Sequence, residues 1–130
     1  MKKILSFLFI VIVLFSCSTN DDNNNANQNS ILGRWHLVGF EETVMYQFTD
    51  DNLRHTLYST DGTFGGLETA IPNPNSWSIE NNKLVVDLNF GNSSTESLSF
   101  RCNGNVVDLI SDNGTSRLFR EGYNILNCNE

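Results

Sequence analysis

Across most of the chain, apolar side chains recur at every second position, and short clusters of Asn, Asp and Gly interrupt the pattern. A repeat of two is that of an extended strand, so the buried face must be assembled from strands rather than helices. Residues 83–90 show it most clearly. Leu84, Val86, Leu88 and Phe90 fall on one face, with Val85, Asp87 and Asn89 on the other. Tyr46 with Phe48, Trp77 with Ile79, and Leu98 with Phe100 repeat the alternation. Strands are therefore expected at residues 34–40, 43–49, 52–59, 76–80, 83–90, 95–101, 105–111 and 115–121.

The punctuation is as informative as the strands. Asp61-Gly62, Asn81-Asn82, Gly91-Asn92, Asn103-Gly104 and Asn113-Gly114 separate the alternating runs. These residue types reach positive φ at low cost, which tight hairpin turns require. Hairpins joined this closely form a meander, and from Trp77 onward the strand order is nearly forced. Closing the meander removes both exposed edges. The expected fold is all-β: a small antiparallel up-and-down β-barrel of about eight strands. The exception is the stretch 64–76, FGGLETAIPNPNS, whose Gly65-Gly66, Pro72 and Pro74 exclude a regular central strand. It is expected to form a lid over one barrel mouth.

The first residues obey a different rule. Lys2 and Lys3 precede a largely apolar run, residues 4–15, and Leu14-Phe15-Ser16 leads directly into Cys17. The run is well short of the ~20 residues that cross a bilayer. A charged start, a short apolar core and a small residue before the cut describe a secretory signal. The cysteine after the cut resembles the bacterial lipobox. The expected organisation is a signal peptide at 1–16, a lipidated tether at 17–30 beginning with Cys17, and one barrel domain at 31–130. Residues 18–30, STNDDNNNANQNS, contain no aromatic and no large aliphatic side chain, so they cannot offset their own ordering entropy. Acyl chains on Cys17 would hold the protein on a membrane without spanning it. Asp21 and Asp22 resemble the acidic export signals that send lipoproteins to the cell surface in some Gram-negative groups. The expected location is the bacterial cell envelope, at the outer membrane.

The formal net charge is −7, and removing Lys2 and Lys3 makes it more negative by two. Such a balance opposes nucleic acid and anionic membrane surfaces as partners. The chain has three cysteines. With Cys17 consumed by lipid, Cys102 and Cys128 remain in an oxidising compartment, where a disulfide is the economical reading. The paired spacing of a zinc site is missing.

From Ile31-Leu32-Gly33-Arg34-Trp35-His36-Leu37, through Tyr46-Gln47-Phe48, Asp61-Gly62-Thr63 and Trp77-Ser78-Ile79-Glu80, to Asn81-Asn82 and Lys83-Leu84, the chain resembles the lipocalin-like domain of bacterial lipoproteins. The resemblance implies a signature of Gly33 and Trp35 at the barrel base. It also implies a basic side chain from the last strand over the tryptophan, Arg117 or Arg120, as a cation–π contact. It further implies a small hydrophobic ligand. The large residues expected on the inner face, Tyr46, Phe48, Trp77, Phe90 and Phe100, together with His55, are the candidate ligand-binding residues. The chain is shorter than a full lipocalin and lacks a helix after its last strand, so the same residues could instead fill the barrel. The alternative is then a structural or interaction protein with an envelope protein partner.

Catalysis is not expected. The only histidines, His36 and His55, lie inside expected strands and in no catalytic motif. Glu41-Glu42 and Asp50-Asp51 fall at strand ends, where solvation explains them. Asp108, Asp112 and Asn113-Gly114 do not have the ligand spacing of a calcium loop. Asn92-Ser93-Ser94 and Asn113-Gly114-Thr115 fit a glycosylation pattern that carries no weight behind a bacterial-type signal. Neither a metal nor a cofactor is implied.

Overall fold

The computed structural model describes residues 29–129. The expected signal peptide, Cys17 and the expected tether up to residue 28 lie outside the described residues. Eight antiparallel strands follow one another around a closed barrel: β1 (Gly33–Leu37), β2 (Val44–Phe48), β3 (Leu53–Tyr58), β4 (Asn75–Glu80), β5 (Lys83–Asn89), β6 (Asn92–Arg101), β7 (Val106–Ser111) and β8 (Gly114–Arg120). Closure is completed by β1 pairing with β8, with Trp35 opposite Arg120 and Leu37 opposite Leu118.

The turns explain why the meander holds its register. Asn81 and Asn82 take φ of 51° and 61°, the paired left-handed conformation of a two-residue hairpin. At the β5–β6 connection, Asn89, Phe90 and Gly91 take φ of 67°, 55° and 79°. A register shift between Asp87 and Asn89 breaks the alternation there. Phe90 consequently leaves the inner face and stands 101 % exposed.

Register assigns the faces. The pairs Trp35–Tyr46, Tyr46–Thr56, Trp77–Val86, Leu98–Leu109, Phe100–Val107 and Val107–Leu118 all point inward. Ile31, Trp35, Phe48, Leu84, Val86, Val107, Leu109 and Leu118 form the buried core, with Leu37, Tyr46, Trp77, Leu98 and Phe100 packed against it. At its base, the Trp35 indole Nε1 donates to the Ile31 carbonyl at 2.6 Å, and the Arg120 guanidinium lies 4.2 Å from the ring centre.

The connection between β3 and β4 is not a lid over a mouth. It lies on the outer wall, where the Gly65 carbonyl accepts from Arg34 Nη2 at 2.9 Å and the Phe64 ring meets His36 edge-on at 5.5 Å. It also adds a backbone bond to β3, from the Ile71 amide to the Thr56 carbonyl. Register puts Arg34, His36, Met45 and Leu57 on that outer face. Met45 and Leu57 are nonetheless 0 % and 1 % exposed. The barrel thus buries residues on both sides of β2 and β3, and the flexible-looking Gly/Pro segment is the cover.

Cys102 and Cys128 form a disulfide, their Cα atoms 5.6 Å apart. It fastens the residues after β8, including the 3₁₀ turn Ile125–Asn127, to the β6–β7 connection.

Candidate functional site: the barrel interior

The interior divides into an apolar part and a polar part. The apolar part is set by the strand ends near the amino-terminal segment. There Ser30, Ile31 and Leu32 approach Trp77 and Ile79 of β4, Asn82, and Leu98 and Phe100 of β6, bounding an open cavity of about 390 Å³. Phe48 packs edge-on against Trp77 at 5.8 Å, which holds the indole as one wall of that cavity. Arg120 fixes the other wall. Its Nη1 and Nη2 donate to the carbonyls of Leu32 and Ser30 at 2.9 and 2.8 Å, while Nε donates to that of Gly104.

The polar part begins at Arg54. It faces Asn75 across the β3–β4 pair and lies on the same face as Thr56. Its guanidinium sits 4.9 Å from the Tyr46 ring centre, and Nη2 donates to Asn75 Oδ1 at 2.7 Å. Asn75 is itself held by donation from Nδ2 to the Asp87 carbonyl. Further round, Glu96 of β6 faces Leu84 and so also points inward. Burial lowers the Arg54 pKa, against the favourable fields of Tyr46 and Glu96. Burial likewise raises that of Glu96, with the Arg54 charge partly offsetting it. The two charges feel each other without a direct ion pair.

Two donors in this interior have no partner: Arg54 Nε and Trp77 Nε1 are buried without a hydrogen bond. Among the described residues, these are the only buried side-chain nitrogen or oxygen atoms in that condition. Native interiors leave few such groups, and each calls for a physical explanation.

The expected ligand-binding residues separate accordingly. Trp77 and Phe100 line the cavity. Phe48 belongs to the buried core, and Tyr46 lies beneath Arg54. Phe90 is a correction, because the break in register carries it into solvent. His55 is a second correction: it pairs with Gln47 on the outer face, opposite in parity to Thr56 and Arg54. Its neighbours Leu53 and Leu57 made the strand look inward-facing at these positions. Leu57 is buried under the outer connection, not inside the barrel. Of the two candidate arginines, Arg120 covers Trp35, whereas Arg117 turns outward to Asp108.

Arg54, Asn75 and Glu96 were not anticipated. The parity of Leu98 and Phe100, extended back along β6, already places Glu96 inside. For Arg54 no such signal exists, since the larger apolar residues of its strand occupy the other face. No group of three His, Cys, Asp or Glu side chains suited to a metal ion occurs among the described residues. No family model, curated protein or solved structure matches the chain.

Proposed function

We propose that the chain is a cell-envelope lipoprotein, anchored through Cys17, whose lipocalin-like barrel binds a small hydrophobic ligand. The observation that carries the binding reading is the cavity between residues 29–32 and the inner faces of β4 and β6. At about 390 Å³ it falls within the range of small-molecule sites, and Trp77, Ile79, Leu98 and Phe100 supply the apolar lining such sites use. The anchor rests on the sequence alone: Lys2, Lys3, the apolar run and Leu14-Phe15-Ser16-Cys17.

Native mass spectrometry of the full chain, extracted from outer membranes in mild detergent, tests both parts. The expected spectrum carries acyl mass that a Cys17→Ala chain lacks, and a further small mass lost on organic extraction. Acylation that persists in Cys17→Ala would overturn the anchor, and a barrel without any extractable mass would overturn the ligand.

A second reading, an accessory protein of an envelope complex with a filled barrel, is favoured by one observation. Phe40, Tyr58 and Phe90 are exposed, all at strand ends or turns away from the cavity. Recovery of a single stoichiometric partner by crosslinking in intact cells, lost on Phe90→Ser substitution, would select it.

A further inference from the structure

Resting on the ligand-binding reading, we infer that the barrel recognises a ligand bearing one carboxylate on an apolar body, the acid group being received by Arg54 and Trp77. The argument begins with the two unpartnered donors. Arg54 faces Asn75, and Trp77 is two residues further along β4, so the two side chains are diagonal neighbours on the inner face. Long and aromatic side chains at that spacing are within reach of each other. Both orphan groups, Arg54 Nε and Trp77 Nε1, are donors. Two unmet donors on one wall ask for an acceptor.

The charge of that acceptor follows from what surrounds Arg54. Its contacts, the Tyr46 ring and the Asn75 amide oxygen, are both neutral. Glu96 acts on it through space, without an ion-pair contact. A guanidinium held among neutral groups in a barrel interior is stabilised most by a counter-charge in direct contact. The same Glu96 limits how much negative charge the site tolerates. Its carboxylate opposes a dianion such as a phosphomonoester far more than a monoanion. The apolar body is dictated by Trp77, which serves both regions: its ring lines the cavity with Ile79, Leu98 and Phe100, while its Nε1 is one of the two donors.

The chain has two tryptophans, and the Trp35 indole N–H already donates to Ile31. Indole resonances in ¹H–¹⁵N spectra of the full chain in non-ionic micelles therefore report the site directly. Octanoate is titrated against octanamide, which has the same chain and an acceptor but no charge. The expected result is a shift of the Trp77 indole with octanoate binding at least about tenfold tighter than octanamide, a difference Arg54→Met abolishes. Glu96→Gln, which leaves Arg54 and the fold's apolar core untouched, is expected to tighten octanoate about two- to fivefold and leave octanamide unchanged. Equal binding of the two probes would overturn the carboxylate inference while leaving the hydrophobic-ligand reading in place. Failure of both probes to move the Trp77 indole would overturn both.

Discussion

Arg117 and Arg120 are three residues apart on β8 and therefore point to opposite faces of the sheet. Arg120 goes inward to Trp35; Arg117 goes outward, with Nε and Nη2 both donating to Asp108, at 2.6 and 3.0 Å. Arg101 donates to the same carboxylate, which is buried although its partners remain substantially exposed. Hydrogen bonding from Arg117, reinforced by both arginine charges against the cost of burial, lowers the Asp108 pKa below 3.8. A lowered carboxylate contributes stability that is whole above its ordinary value and lost as pH falls through the folded one. Asp108→Asn is expected to cost about 1–2 kcal/mol at neutral pH, because the freed arginines return to water. The deficit should shrink towards about pH 3, as urea titrations at the two pH values will show. Glu96 has the opposite sign. Raised above 4.5 by burial, it contributes its stability below that value and loses it as pH rises through the folded pKa. Glu96→Gln should accordingly be more stable than the wild type at neutral pH, by up to about 0.5 kcal/mol, with no advantage at about pH 4 in thermal melts.

At the scale of the hairpin, β5 and β6 are joined through three successive left-handed residues, one of them Phe90. An L-residue with a bulky side chain pays about 1–2 kcal/mol for that conformation, and the fully exposed ring returns no packing energy. Phe90→Gly is expected to stabilise the barrel by about 0.5–1 kcal/mol, read as a higher urea midpoint at unchanged slope. The same hairpin shows where sequence patterning stops working. Strict alternation from Leu84 places Phe90 inward, and only the shift between Asp87 and Asn89 reverses that assignment. The other failure, at β3, has a different cause. Burial on both faces makes the apolar residues Leu53 and Leu57 mark the wrong side, so alternation turns His55 inward and Arg54 outward, the reverse of their true faces. Elsewhere, with the strands exposed on one side, the alternation and the Asn/Gly turns were enough to place every strand to within a few residues. The interior aromatics Trp77 and Phe100 were legible for that reason. In the polar wall the same parity reaches Glu96 and Asn75; Arg54 escapes it, because hairpin register decides its face and the four-residue turn after Phe48 does not reveal register from composition.

The whole molecule closes twice, once through the β1–β8 pairing and once through the Cys102–Cys128 disulfide. The second closure spans a sequence separation of 26 residues and ties the tail to the barrel end that also carries Arg120 and residues 30–32. Chain-entropy reasoning values a loop of that length at about 3.5 kcal/mol. The Cys102→Ala/Cys128→Ala double variant should lose stability of that order under non-reducing conditions. Reductant should then lower the melting temperature of the wild type and leave that of the double variant unchanged.

Under the proposed anchoring at Cys17, Arg120 would also have a mechanical role. A pull on the chain ahead of Ser30 would meet the guanidinium grip on the Ser30 and Leu32 carbonyls before it could begin to peel β1 from its neighbours. The side chain that seals the barrel base would thus act as a strain relief, isolating the cavity wall from tension on the amino-terminal side of the barrel.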